Sequence, residues 1–320
     1  MNLNLLRIFV AVAEAGSFSR AADALGISQP AVSKAVRELE SQLDTVFLER
    51  KGRQLTLSEP GRLLFDYGRS IFALEHEAQE AVRAFGSLER GQLTIGASTT
   101  AATYWLPPLL TRFATRYPGI ALQLVSANTA HIAELLLDCA IDVAIVEGPV
   151  ADERFETVPW HEEEMVVIVP RDHPLSGGVR PPGAAHLERE VWVVREPGSG
   201  SREATDAVLA EWGIAPPRTI EVGSNEAIVQ TVAAGSAIGL VPRICARDQL
   251  ALGRVRHIQP HIQPSSGPIL RRLYRMRLPQ RPISHAALAF EALLNEPENR
   301  RLHPDPIPAG SRARSDSTQR

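Results

Sequence analysis

Residues 17–39 read SFSRAADALGISQPAVSKAVREL. Phe18, Ala21, Ala22 and Leu25 fall at helical spacing behind Ser17, whose side chain can accept from free amide N–H groups at a helix start. Gly26 supplies the positive φ that ends the helix. Ser28 opens the next helix, and Pro30 sits in its first turn, where its missing N–H is tolerated. Val32, Val36, Leu39 and Leu43 give this helix an apolar stripe. Gln29, Ser33 and Arg37 follow at i, i+4 and i+8 on another face, with Lys34 beside them. Gln bonds adenine bidentately, Arg and Lys bond guanine or phosphate, and Ser bonds either. A helix of this kind after a tight turn fits the major groove of B-DNA.

The neighbouring sequence extends the module. Leu6, Phe9, Val10 and Ala13 predict a first helix ending before Gly16. Residues 45–57, TVFLERKGRQLTL, predict a hairpin with Arg50, Lys51 and Arg53 around Gly52 at its tip. A basic tip beside a recognition helix is a wing that contacts phosphate or the minor groove. The expected DNA contacts are therefore Ser17, Ser28, Gln29, Pro30, Ser33, Lys34, Arg37, Arg50, Lys51 and Arg53. A long helix should follow from Ser58 to about Phe85. Its Leu64, Tyr67, Ile71, Leu74, Ala78, Ala81 and Phe85 step by three and four like a heptad seam. The stripe buries itself either against a second copy or against the chain's own second domain. A dimer suits the reading of two half-sites.

From Gly91 apolar strands alternate with helices, the pattern of a parallel α/β sheet. Strands are predicted at 93–95, 120–125, 141–146, 165–169, 191–194, 220–222, 238–241 and 269–276. Helices are predicted at 104–117, 128–139, 202–212, 225–234 and 284–294. About 200 residues in two such runs imply two small lobes. Residues 296–320 are rich in Pro, Arg, Ser and Asp and lack apolar periodicity, which reads as a disordered tail.

The N-terminal third resembles the LysR-type transcriptional regulators. The match runs through Leu6-Arg7-Ile8-Phe9-Val10, Gly16-Ser17-Phe18, Ala21-Ala22, Ser28-Gln29-Pro30-Ala31-Val32-Ser33, Leu39-Glu40, Phe47-Leu48-Glu49-Arg50 and Leu57-Ser58-Glu59-Pro60-Gly61. Leu43-Asp44 departs from the family's usual Leu-Gly, although Asp tolerates the left-handed conformation. The resemblance implies an α/β protein with an N-terminal all-α winged helix-turn-helix over 1–58. A linker helix over 59–88 would join it to a two-lobed, periplasmic-binding-protein-like effector domain over 91–295. Lobe I would hold 91–162 and 267–295, and lobe II 163–266, with chain crossings near 161–164 and 264–268. It also implies promoter DNA, a homodimer or homotetramer, and RNA polymerase as partners.

Three segments leave a strand and enter a helix through hydroxyl or amide residues: Ser98-Thr99-Thr100, Gly198-Ser199-Gly200-Ser201-Arg202 and Ser224-Asn225-Glu226. Helix N-termini offer free N–H groups and the positive end of a dipole, so a cleft where they converge suits a small anion. Ser199, Ser201 and Asn225 each also read as ordinary N-caps. These segments, with Glu147-Gly148-Pro149, look like the sulfur-assimilation and sulfite-responsive branch of the family. The expected effector site is Ser98, Thr99, Thr100, Glu147, Ser199, Gly200, Ser201, Arg202, Asn225 and Glu226, holding sulfite or a related oxyanion. Glu147 would repel an anion unless Arg202 or another cation pairs with it. A small carboxylate or amine metabolite is the alternative.

Composition permits this reading. The 320 residues carry a net charge of −3 and 44% hydrophobic residues, so any DNA contact must come from local basic clusters. No secretory signal pattern and no membrane-length apolar run occurs, so a cytoplasmic protein is expected. Cys139 and Cys245 lack metal-ligand spacing and are expected to pack as small hydrophobes. His131, His161 and His173 are scattered and read as surface or loop residues. The sequence holds no GxSxG, HExxH or P-loop pattern, so no enzyme, metal or cofactor is expected beyond the small-molecule effector. A transporter's solute-binding protein is disfavoured by the N-terminal module.

Overall fold

Helix α1 (Leu3–Ala15) ends at Gly16 in the left-handed conformation, and α2 (Phe18–Leu25) ends the same way at Gly26. The computed structural model describes residues 1–51, 54–83, 91–148, 152–177, 181–262 and 267–300. Ser28 caps α3 (Gln29–Gln42) by accepting from the Ala31 amide. Ser17 stands at the N-cap of α2, but its side chain makes no cap bond. Phe9, Leu6, Ala21, Val32, Val36 and Leu39 close into one buried cluster. Each fully buried large apolar side chain in such a cluster contributes roughly 1.5–3 kcal/mol. Leu43, expected in the stripe, is instead exposed at the C-cap, because Asp44 turns the chain through a left-handed φ of 47°. The hairpin pairs β1 (Leu48–Lys51) with β2 (Gln54–Leu57) in antiparallel register. Arg53 lies outside the described residues, as do residues 84–88 of the expected linker.

Helix α4 (Glu59–Arg83) divides its apolar residues between two faces. Leu64, Phe65, Ile71 and Phe72 pack on the core of the head. Arg7 stacks over the Phe72 ring at 4.1 Å and pairs with Glu75 at 2.5 Å. Leu63, Tyr67 and Leu74 remain 61%, 63% and 44% exposed. The single seam read from sequence is thus split, because α1 takes its Leu64 and Ile71 side. Further contacts reach the second domain, where Arg69 pairs with Asp138 at 2.9 Å and the Ser70 hydroxyl donates to the Leu137 carbonyl at 3.4 Å.

The second domain is built on β3 (Gly91–Ser98), β4 (Ile120–Ala127), β5 (Val143–Glu147), β6 (Glu156–Pro170), β7 (Val191–Arg195), β8 (Arg218–Val222), β9 (Ile238–Pro242), β10 (Val255–Ile258) and β11 (Ile269–Arg277). These nine strands form one mixed sheet, ordered β4-β3-β5-β11-β6-β9-β7-β8 with β10 on β6. Parallel pairing joins β3 to β4 and β5, and β7 to β8 and β9, while β6 and β11 run antiparallel to their neighbours. The expected parallel pairing holds within each lobe as a parallel triplet, while the connecting strands β6 and β11, not foreseen as antiparallel, oppose it.

The crossing assigned to 161–164 lies inside β6, which is continuous. Its first part pairs with β11, and residues 165–168 pair with β9. Glu162-Glu163-Glu164 reads as loop in isolation, yet Glu162 and Glu163 stand opposite Arg272 and Arg271. Cross-strand pairs of opposite charge stabilise a ladder. Of the second crossing, residues 264–266 lie outside the described residues.

Helices α5 (Leu106–Arg116) and α6 (Thr129–Leu137) cover lobe I, and α7 (Ala184–Leu187), α8 (Gly200–Glu211), α9 (Asn225–Ala234) and α10 (Arg243–Ala251) flank lobe II. Neither α10 nor β10 was expected from the sequence. Helix α11 (His285–Asn295) returns to lobe I, where Phe290 meets Phe113 of α5. The expected tail begins too early. A short α12 (Pro297–Arg300) docks through buried Asn299, which donates to the Leu293 carbonyl at 2.6 Å and accepts from Arg112. Residues 301–320 lie outside the described residues. His173 lies in a loop as expected but is covered, whereas His161 is half-buried in a strand. His161 stacks on Trp105 at 4.1 Å from within β6, and His173 is buried against Glu190 at 3.3 Å. Cys245 is buried as expected, whereas Cys139 is only partly covered and stands in a turn at φ 54°. No helix among the described residues is long and apolar enough to cross a membrane.

Candidate functional site

Two surfaces carry chemistry. On α3, the Gln29 amide donates to the Ser33 hydroxyl at 2.9 Å, and Arg37 Nε donates to the Ser33 carbonyl at 3.2 Å. The row at i, i+4 and i+8 is thereby held along one edge of the helix, with Gln29, Pro30, Lys34 and Arg37 exposed. Ser28 is occupied in capping, which fixes the angle at which this edge is presented. The side chains of Arg50 and Lys51 lie outside the described residues.

The second surface lies between the lobes. Strand β3 ends at Ser98, whose hydroxyl accepts from the Ala101 amide at 3.3 Å. A single π turn (Ala101–Trp105) follows before α5, where a plain α-helix from Tyr104 was expected. Such turns recur at functional sites. This one aims the Trp105 indole N–H at Glu163 Oε2, 3.1 Å away. Opposite, Gly200 begins α8 hard against the end of β5. A Cβ at Gly200 would stand 2.4 Å from the Glu147 carbonyl oxygen. Gly198 at φ 82° lets its carbonyl accept from the Ala130 amide of the other lobe at 3.0 Å. We expect Gly200→Ala to push α8 off β5, cost about 1–3 kcal/mol in urea denaturation and weaken ligand binding. An unchanged melt would refute the close approach.

Between these ends lies a buried polar cluster. Asn225 donates its amide to Thr100 Oγ1 at 2.8 Å and to Ser201 Oγ at 2.9 Å. Ser224 does the capping of α9, which frees Asn225 for this task. Arg271 lies at the centre. Its Nε donates to Glu163 at 2.6 Å and its Nη1 to Ser201 at 2.6 Å. Its Nη2 reaches Glu147 at 3.3 Å and Thr100 at 3.4 Å. Burial opposes the Arg271 charge, but Glu163 and Glu147 together hold the guanidinium above its usual value. Burial pushes Glu163 up, Arg271 pulls it back and Glu147 pushes it further, leaving the carboxyl above the ordinary range.

The hydroxyls of the cluster keep donors to spare. The Thr100 and Ser201 hydroxyl oxygens each accept from both Asn225 and Arg271. With both lone pairs used, each has its own proton left to donate. One acceptor is also unspent: Asn225 Oδ1 is buried and has no hydrogen-bond partner among the described residues.

Expected residues divide accordingly. Ser98, Thr100, Glu147, Ser199, Gly200, Ser201 and Asn225 are buried around this cleft. Ser199 holds the N-cap position without a side-chain cap bond. Thr99 accepts from buried Arg195 at 3.2 Å and so links the lobes. Glu226 is half-buried, with no hydrogen-bond partner for Oε1 among the described residues. Arg202 is a correction: it pairs with Asp206 at 2.9 Å and donates to the Arg195 carbonyl at 2.8 Å, so α8 turns it away from the hydroxyls. The cation that bonds the Thr100 and Ser201 hydroxyls is Arg271, which sequence reading missed along with Glu163 and Trp105. The only available signal was the matching run of three Glu and two Arg.

Residues 3–62 match the family described as bacterial regulatory helix-turn-helix protein, lysR family, and residues 86–297 match the LysR substrate binding domain. The chain belongs to the LysR family of bacterial transcriptional regulators. It is a DNA-binding regulator with a small-molecule effector domain. Among similar LysR-family proteins, the transcriptional regulator CysL of Bacillus subtilis is 32% identical over 78% of this chain and 83% of its own length. The RuBisCO operon transcriptional regulator of Allochromatium vinosum is 35% identical over 75% and 79%. A full-length OxyR variant from Pseudomonas aeruginosa shares the fold, with TM-score 0.68 and 24% identity over 94% of this chain and 95% of that one. The regulatory domain of CcmR from Synechocystis PCC6803, solved in complex with 2-PG, gives TM-score 0.57 and 31% identity over 64% and 96%.

Proposed function

We propose that this LysR-family regulator senses a small oxyanion, sulfite or a close relative, in the interlobe cleft and changes its grip on promoter DNA in response. The observation that carries this reading is the pair of buried hydroxyls, on Thr100 and Ser201, whose oxygens are filled by Asn225 and Arg271 and whose protons are left for a ligand. Hydroxyls polarised by a guanidinium are strong donors to an anion. The resemblance of the segments at 98–100, 147–149, 195–203 and 223–227 to the sulfur-assimilation branch accords with a sulfur oxyanion. Ligand and DNA are coupled only by the ligand's differential affinity for two arrangements of the domains. Calorimetry on the full-length protein tests the reading. Sulfite or sulfate should give binding heat that Ser201→Ala and Thr100→Val abolish, and no heat with either would overturn it.

A second reading, a small amine or a carboxylate that carries an N–H or O–H of its own, rests on Asn225 Oδ1, which is buried, has no hydrogen-bond partner among the described residues and asks for a donor. A small amino acid, whose ammonium group is a donor, is the probe for that arm.

For the other surface we assign base reading to Gln29, Ser33, Lys34 and Arg37. Gln29→Ala and Arg37→Ala are each expected to cost about 1–3 kcal/mol of discrimination against non-operator DNA. Gel-shift titration on the DNA upstream of the gene measures it. Folded variants with unchanged affinity and specificity would remove these residues from the interface.

A further inference from the structure

The buried cluster has an uneven charge count. One guanidinium, Arg271, faces two carboxylates, Glu147 and Glu163, and all three side chains are at most 5% exposed. Ionised, the trio carries a net negative charge, and an arriving anion would add to it without a spare cation to answer, since the nearby buried Arg195 beside Thr99 is already paired with Glu196 at 2.8 Å. Isolated buried charge of that kind is too costly to persist, and such sites neutralise by moving a proton.

We infer that the cleft takes up its anion together with a proton, and that Glu163 is the residue that receives it. This rests on the oxyanion reading above. The geometry selects Glu163. Its carboxylate touches both Arg271 and the Trp105 indole N–H, so it sits inside the cluster and away from bulk water. The groups facing it are Arg271 from β11, Glu147 from β5 and Cys245 from α10. Beyond them stand Glu226 of α9 and Tyr104 of the π turn, both linked electrostatically to Cys245, and on Glu163's own strand His161, stacked on Trp105. Only Arg271 among these is a fixed cation. Burial already favours the protonated carboxyl, so an anion nearby moves it further in the same direction. The sign follows: binding strengthens as pH falls, until Glu163 is protonated in the free protein and the dependence levels off.

Calorimetric titration of the full-length protein with sulfate and with sulfite, in buffers of different ionisation heat, counts the protons. Sulfate keeps one charge state across the neutral range, and the protonation heat of sulfite is subtracted. Uptake approaching one proton per anion is expected at the alkaline end, with affinity falling by up to about tenfold per pH unit. In Glu163→Gln the uptake should vanish and binding become independent of pH. Trp105→Phe removes a hydrogen bond to the charged carboxylate and should move the uptake profile to higher pH, which decides the matter should Glu163→Gln fail to fold. Binding without uptake, or uptake that persists in Glu163→Gln, overturns the inference and leaves the anion reading standing. No heat with either anion overturns both.

Discussion

Arg271→Ala is expected to lose about 3–5 kcal/mol of stability, the cost of removing one partner from a buried charge cluster. The substitution leaves Glu147 and Glu163 facing each other without a cation, and it strips a donor from both Thr100 and Ser201. Burial already raises Glu163, and loss of Arg271 removes the main opposing effect. A carboxyl raised in the folded state contributes stability that is complete below its unfolded value and is lost as pH rises through the folded one. The deficit should therefore grow with pH, from weakly acid to alkaline solution. Urea denaturation at several pH values measures it. Adding Glu147→Gln and Glu163→Gln should restore much of the loss, because the uncompensated charge is then gone. A deficit of about 0.5 kcal/mol, as at an ordinary surface site, would show that the cluster is solvated.

Tyr67→Glu with Leu74→Glu is expected to dissociate a dimer and to cost about 10²–10⁴-fold in operator affinity, the advantage of reading two linked half-sites. With Leu63, these residues are the exposed large apolar ones among the described residues of α4, while Ile71 is committed to its own head. Charges placed in a helix–helix seam must be desolvated. Light scattering reads the mass, and the gel shift reads the affinity. A particle of unchanged mass would move the dimer contact to another surface.

Much of the head was legible because each local signal acts alone. Gly16, Gly26 and Ser28 set boundaries by backbone rules, and the structure keeps all three. The split of α4 was not legible, since Leu64 and Tyr67 read alike until α1 covers one of them. In the effector domain, β9 and all of β5 but its last residue, Glu147, are apolar and announced themselves as buried strands. The first half of β6 did not, because its carboxylates become strand-like only against the arginines of β11, over a hundred residues away. The cleft shows the same limit. Hydroxyls at helix starts could be named from spacing, whereas Arg271 enters the site only through strand register, and the nearer Arg202 drew the assignment.

Glu163 and Arg271 are partners across β6 and β11, where β6 passes from one lobe to the other. The donors we propose for the ligand come instead from loops and helix starts at 98–100 and 199–201. Charge balance and ligand shape are therefore written in separate parts of the chain. A lineage, or a designer building a sensor, can change the loops to admit a different anion while the strands keep the same proton-linked response.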